Sequence, residues 1–139
     1  MLKSLQRWGL PALMLALVAI APWTPARAQT YPSKPVTIIV PLAPGTGMDT
    51  LARIYGEQLS QALGQPVVIE NKPGAGLMLG TAAIAAAAPD GHTLGISTAT
   101  PMAVNQVLYK KITYDPDKDF APIYFYVKSP FVLVVNPSV

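Results

Sequence analysis

The spacing of apolar residues changes several times along the chain, and each change marks an element. Residues 36–40 (VTIIV) are an unbroken run rich in β-branched residues, the pattern of a strand buried on both faces. From Met48 the step becomes three and four: Met48, Leu51, Ala52, Tyr55, Leu59, Ala62 and Leu63 recur, with Arg53, Glu57, Gln58 and Gln61 between them. That spacing predicts an amphipathic helix, stopped by Gly64 and Pro66. Residues 67–70 (VVIE) predict a second strand, and TAAIAAAA from Thr81 predicts a helix closed by the turn Pro89-Asp90-Gly91. Residues 93–97 (TLGIS) predict a third strand, and TATPMAVNQVLYKK a loop with a short helix. APIYFYV and FVLVV read as two more strands separated by Lys128-Ser129-Pro130. Strand and helix alternating three times predict an α/β fold, a mostly parallel sheet with flanking helices. The closing pair of strands, with no helix between them, departs from that rhythm.

The N-terminus follows a different logic. Lys3 and Arg7 precede an uncharged stretch over residues 9–21, then Pro22, Pro25 and the small-residue triplet Ala26-Arg27-Ala28. This is the layout of a secretory signal peptide, residues 1–28, cleaved after Ala28. The apolar stretch falls short of the roughly 20 residues needed to cross a bilayer, so the mature chain is not expected to be membrane-embedded. The segment also changes the charge balance. The chain has 10 Lys+Arg against 7 Asp+Glu, but Lys3, Arg7 and Arg27 leave with the signal. The remainder is balanced, without the net basic character that a nucleic-acid partner would favour. With no cysteine, there is no disulfide, no thiolate nucleophile, no zinc-thiolate site and no lipid-anchored export signal.

In parallel α/β sheets, ligands sit beyond the carboxyl ends of the strands. The loops expected there are residues 42–49, 71–80 and 98–101, built mainly of Gly, Pro, Thr, Ala and Asn. Such loops offer amides and hydroxyls more than catalytic groups. In the first, Thr46-Gly47-Met48-Asp49 predicts a capping box: Thr46 accepts from the amide of Asp49, and Asp49 reaches back to the amide of Thr46. Gly45 and Gly47 are expected to leave amides uncovered at a positive helix end, where a carboxylate can dock. The plain alternative is a cap that stabilises the helix by about 1 kcal/mol.

Other motifs weaken on inspection. Gly74-x-Gly76-x-x-x-Gly80 follows a strand, but no acidic residue stands about 20 positions on to hold a ribose; Ile96 and Ser97 are there instead. In the first loop, Gly45-x-Gly47-x-x-Thr50 lacks the third glycine, although Glu70 is suitably spaced. No cofactor is expected. Asp115, Asp117 and Asp119 imitate the opening of a calcium loop, yet Phe120 and Tyr126 occupy the positions of its glycine and closing glutamate. A solvated turn is expected there, with no bound metal. His92 is the single histidine and is expected at the surface. No G-x-S-x-G is present, and the ligand loops carry no pair of carboxylates, so an enzyme is not expected.

Several segments in order, YPSKPVTIIVPLAPGTGMD, LGQPVVIENKPGAGLMLG, AAPDGHTL, LYKKITYDPDKDFAPI and VLVVNPSV, resemble the N-terminal half of the Bug-type (TctC-like) family. Its members are periplasmic substrate-binding components of tripartite tricarboxylate transporters. The resemblance covers residues 31–139 and implies a two-lobed, type II periplasmic-binding-protein-like fold. It implies capture of a small organic carboxylate and its handover to a permease of one large and one small subunit. It also implies that backbone amides and waters of the loop after the first strand hold the carboxylate. Those positions are Ala43, Pro44, Gly45, Thr46 and Gly47, with Asp49 shaping the loop. Gly74, Ala75 and Gly76, with Thr98 and Thr100, are implied to face the same cleft. Pro44 has no amide hydrogen, so its neighbours must donate.

Two departures stand out: Thr46 and Met48 flank Gly47 where the family usually pairs glycines, and Leu77 occupies a usual glycine position. Family members are also longer. Residues 29–128 correspond to the first part of lobe 1 and residues 129–139 to a crossover, so the chain reads as truncated, with the second lobe largely missing. Half a cleft leaves a carboxylate in water, where each hydrogen bond is worth about 1 kcal/mol. Weak binding or none is expected of this chain alone; micromolar affinity for a dicarboxylate would contradict that. The main alternative role is a ligand-presenting adaptor for a periplasmic sensor, which neighbouring genes would reveal. A further alternative, an exported nucleotide-dependent enzyme, would reveal itself by a co-purifying chromophore.

Overall fold

The computed structural model describes residues 30–128 and 132–138. The expected signal peptide lies outside them. Three strands, β1 (Val36–Val40), β2 (Val67–Asn71) and β3 (Thr93–Gly95), form one parallel sheet in the order β2-β1-β3. Ile38 pairs with Ile69 on one side and with Leu94 on the other. The central position explains the sequence of β1, since both its faces need cover. Val36 and Val40 are fully buried, with Ile38 and Ile39 nearly so. In β2, at the edge, half-buried Val67, Ile69 and Asn71 alternate with exposed Val68 and Glu70.

Helix α1 (Gly47–Leu63) joins β1 to β2 and packs Ala52, Met48 and Leu59 against Ile38 and Val40. Gly56 is buried on this face because a side chain there would meet Ile69 at 3.0 Å. The helix ends at Gly64, which takes the left-handed conformation (φ 65°) and donates to Ser60 O. Helix α2 (Met78–Ala85) is offset from the sequence expectation, starting three residues ahead of the alanine run. The offset has a packing cause. Gly80 is buried so tightly that a Cβ would lie 2.7 Å from Pro41 and 2.8 Å from Lys72 O, so the helix must already have begun there. Ile84 likewise fills the space that a side chain at Gly95 would need.

Strand β3 is shorter than expected, although Ile96 still donates to Ile39 O at 3.1 Å. A π-helical turn (Thr100–Val104) then leads into α3 (Asn105–Leu108). The two strands expected beyond residue 120 do not form. Ile123 is 79% exposed and Leu133 95% exposed, and among the described residues 121–138 no segment joins the sheet. Apolar, β-prone sequence becomes a strand only when a neighbour accepts and donates its backbone bonds. No helix among the described residues is long and apolar enough to cross a membrane.

Candidate functional site

All three strands run the same way, so the loops following them leave the sheet at one edge. The loop after β1 is built around a buried carboxylate. Asp49 is 3% exposed. Its Oδ2 accepts from the Gly45 amide at 2.8 Å and from Arg53 Nε at 3.1 Å. Its Oδ1 accepts from Asn71 Nδ2 and Arg53 Nη2, each at 3.0 Å. Arg53 chiefly, then the Gly45 amide and the Asn71 amide, lower the Asp49 pKa to about 2, against the opposing effect of burial. The expected capping box is therefore half right. Thr46 Oγ1 does accept from the Asp49 amide, at 3.4 Å, but the return bond goes to Gly45 and not to Thr46. The Thr46 amide instead approaches Ala43 O at 3.4 Å, and its hydroxyl donates to the same carbonyl at 2.9 Å.

This wiring decides which amides can serve a ligand. The expectation that both Gly45 and Gly47 leave amides uncovered fails for Gly45, whose N–H is spent on Asp49. Among the described residues, the amides of Ala43, Gly47 and Met48 find no protein acceptor, and Ala43, Pro44, Gly45 and Gly47 are exposed. Gly47 and Met48 open α1, where the first N–H groups have no intrahelical partner and the dipole favours an anion. Asp49 itself turns inward, and its saturated oxygens hold the loop.

The second loop is shaped by backbone strain. Ala75, Gly76 and Leu77 all have positive φ (49°, 62° and 70°), forming a left-handed turn after Gly74. Leu77, where the resemblance implies a glycine, holds a conformation that costs a side-chain-bearing residue roughly 1–2 kcal/mol. Gly74, Ala75 and Gly76 are exposed. The third loop is reached through Asn105, whose Nδ2 donates to Gly76 O at 2.9 Å. Thr98 is exposed, and its carbonyl accepts from the Met102 amide at 3.4 Å. Thr100 is half-buried and caps the Asn105 amide through its carbonyl.

Three residues escaped the sequence reading. Asn71 and Asn105 bridge loops that lie far apart in sequence, and Ser97, just beyond β3, keeps a buried hydroxyl without a partner among the described residues. The sequence signal available for Asn71 was a polar residue ending an apolar strand. An open hollow of about 420 Å³ lies elsewhere among the described residues: Arg53, Glu57, Ser60, Gln61, Val67 and Ile69 line it beside the sheet edge. The loops themselves form an open surface.

Two further expectations concern polar residues away from the loops. His92 is half-buried rather than fully exposed. Its side chain is 11% exposed, Nε2 accepts from the Ser33 amide at 3.3 Å, and Nδ1 lies 3.1 Å from Asp90 O. Of the aspartates at 115, 117 and 119, the carboxylates of Asp115 and Asp119 are engaged within their own turn. Asp115 pairs with Lys118 at 2.6 Å and accepts from the Asp117 amide, while Asp119 accepts from the Asp115 amide at 2.7 Å.

Comparison with known proteins identifies the family of the chain. The family model described as the tripartite tricarboxylate transporter family receptor, TctC, matches residues 51–139. The match begins just after the first loop. BugT of Bordetella pertussis is 41% identical over 127 residues, which is 91% of this chain and 38% of that protein. Among solved structures, MatC from Rhodopseudomonas palustris with bound malate is 43% identical. It has a TM-score of 0.63 over 66% of this chain and 31% of its own. An R. palustris protein with adipate is 34% identical, with a TM-score of 0.60 over 63% of this chain and 29% of its own. The periplasmic binding protein BugD gives 41% and 0.63 over 67% and 31%. These relatives are solute-binding proteins, and the chain spans little more than a third of the length of the curated ones. The parallel sheet, the loops at its carboxyl edge and the family match together show that this chain belongs to the TctC (Bug-type) receptor family of tripartite tricarboxylate transporters.

Proposed function

We propose that this chain supplies the carboxylate-holding half of a periplasmic solute-binding protein that feeds a tripartite tricarboxylate transporter. The observation that carries the reading is the set of amides at exposed Ala43 and Gly47 and at half-buried Met48 that find no acceptor among the described residues, where β1 passes into α1. Backbone donors fixed at a helix start bind a carboxylate by charge-assisted bonds and need no basic side chain. The malate and adipate held by two relatives are ligands of that class. Gly74, Ala75 and Gly76 and the threonines Thr98 and Thr100 border the same edge and complete the wall. Export through the N-terminal signal places the site in the periplasm, and release is to the two permease subunits. No cofactor, metal or catalytic residue enters the mechanism, which is reversible capture.

With the surface open to water, affinity is set by a few bonds of about 1 kcal/mol each. A dissociation constant on the order of 1–10 mM corresponds to about 3–4 kcal/mol of binding free energy. The test is an amide-resolved NMR titration of the chain with malate and adipate. The expected result is saturable shifts confined to residues 43–48, 74–78 and 98–100. Shifts centred on the hollow beside β2, or no response up to on the order of 50 mM, would refute the assignment.

A further inference from the structure

The three loops leave different strands, and nothing in a three-stranded sheet obliges them to keep a fixed spacing. Two asparagine side chains supply that constraint. Asn71, the last residue of β2, donates both hydrogens of its amide: one to Leu42 O and one to Asp49 Oδ1, each at 3.0 Å. Its carbonyl oxygen accepts from Arg53 Nη2 at 3.3 Å. The start of the second loop is thereby tied to the first. Asn105, the first residue of α3, is 1% exposed and donates from Nδ2 to Gly76 O at 2.9 Å. This bond ties the third loop's helical segment to the left-handed turn of the second. The Tyr109 hydroxyl adds contact on the same side, 3.0 Å from where a side chain at Gly76 would begin.

We infer that Asn71 and Asn105 are positioning residues, two latches that couple the three loops into one preformed surface while remaining out of contact with the ligand. The argument rests on the chemistry of the amide side chain. A side-chain amide withdrawn from solvent is retained where its donors are used: Asn105, almost fully buried, donates to Gly76 O, and half-buried Asn71 donates to Leu42 O and to the Asp49 carboxylate. Asn105 also has a specific load to carry. The turn Ala75–Leu77 sits in a conformation disfavoured for two of its three residues, and such strain persists only where the surroundings over-determine it. The bond to Gly76 O is the one side-chain hydrogen bond to that turn's central residue among the described residues.

The positioning role presumes that these loops are the carboxylate site, as proposed above, but the latches can be tested without a ligand. Two amides report on them directly: Met78, which donates to Ala75 O inside the turn, and Gly45, which donates to Asp49. Val36, donating to Pro66 O, and Ile96, donating to Ile39 O, serve as controls in the sheet. By hydrogen exchange, Asn105→Leu is expected to speed exchange at Met78 about tenfold or more, because the Gly76 carbonyl loses its buried donor and the turn is no longer held. Asn105→Asp keeps the shape but cannot donate when ionised, and should behave alike. Asn71→Ala should speed exchange at Gly45 several-fold. Val36 and Ile96 should stay within about twofold of the unaltered chain.

Unchanged exchange at Met78 and Gly45 would overturn the inference, and so would equal acceleration at all four amides, which marks general destabilisation. A malate titration of the same variants separates the two claims. If the unaltered chain responds, each variant should lose several-fold in apparent affinity. If the unaltered chain does not respond, the carboxylate reading fails, and the latches stand or fall on exchange alone.

Discussion

The first and second glycine loops meet the same requirement, a backbone left bare at a helix start, by opposite means. The loop after β1 buys its shape with polar side chains: Asp49 inside, answered by Gly45, Arg53 and Asn71. Positive φ occurs there at a single residue, Gly45. The loop after β2 meets charged partners at its start, through Asn71 and Lys72, while its turn is shaped by three consecutive left-handed residues, two of which are not glycine. A network of that kind should make the first loop rigid and sensitive to acid. Stored backbone strain should make the second tolerant of mutations that relieve it and intolerant of those that add to it.

The sharpest way to break both loops at once is to separate their common floor. In Gly80→Ala, the new methyl would collide with Pro41 and with the Lys72 carbonyl, main-chain atoms that cannot rotate away. A loss of about 3 kcal/mol in urea unfolding is expected, at the upper end of the cost of overpacking. A loss below about 1 kcal/mol would show that the loops are not locked against each other as described.

A smaller effect distinguishes strain from packing. Leu59→Ala removes a side chain that packs on the Ile38–Val40 core and should cost about 2–3 kcal/mol. Leu77→Gly should cost close to nothing. Relief of about 1–2 kcal/mol of left-handed strain offsets roughly 0.5–1 kcal/mol of glycine flexibility and the packing of a half-buried leucine. Calorimetric midpoints of the two variants provide the check. A Leu77→Gly loss as large as that of Leu59→Ala would contradict the strain account.

The first loop's vulnerability is to acid. Asp49 titrates at about 2 in the folded chain against an ordinary 3.8, so its stabilising contribution is complete above about pH 4 and drains away as pH falls through about 2. Asp49→Asn should lower the urea midpoint at pH 7 and flatten the acid limb of the stability profile. It should also raise exchange at Gly45. An acid limb of unchanged slope would show that Asp49 is not the group being protonated. Smallest of all is the effect expected at Lys34, whose exposed pair with Asp90 at 2.8 Å contributes little in solvent. Lys34→Ala should leave the urea midpoint unchanged within error.

Local pattern carried the sequence reading far where the cause is local. The buried run of β1, the three-and-four step of α1, its Thr46 cap and its Gly64 stop depend on neighbours within a few positions, and all were legible. The limits of α2 were not, because they follow from the contact of Gly80 with Pro41 across the sheet. The return bond of Asp49 went to Gly45 since loop geometry, not spacing, chose between adjacent amides. Asn71 and Asn105 were invisible because the loops they tie are 29 residues away in sequence, at Leu42 and at Gly76. His92 looked like a turn residue, and its burial against Ser33 depends on a contact 59 residues back. The segments beyond residue 120 have strand composition, but composition alone provides no neighbour to pair with.

The central claim is that main-chain N–H groups at the start of α1 are the anion receptor. Gly47→Pro tests it most directly. Gly47 is the first helical residue, a position where proline is well tolerated, and Thr46 before it is extended (ψ 160°), as a residue preceding proline must be. Beyond the adjoining chain, nothing lies within 4 Å of a Cβ placed there. The substitution therefore deletes one donor while preserving the fold. The account predicts that apparent affinity for malate, measured by amide shifts at Met48 and Ala43, falls about tenfold while the thermal midpoint stays the same. Undiminished malate affinity in a correctly folded Gly47→Pro chain would contradict it.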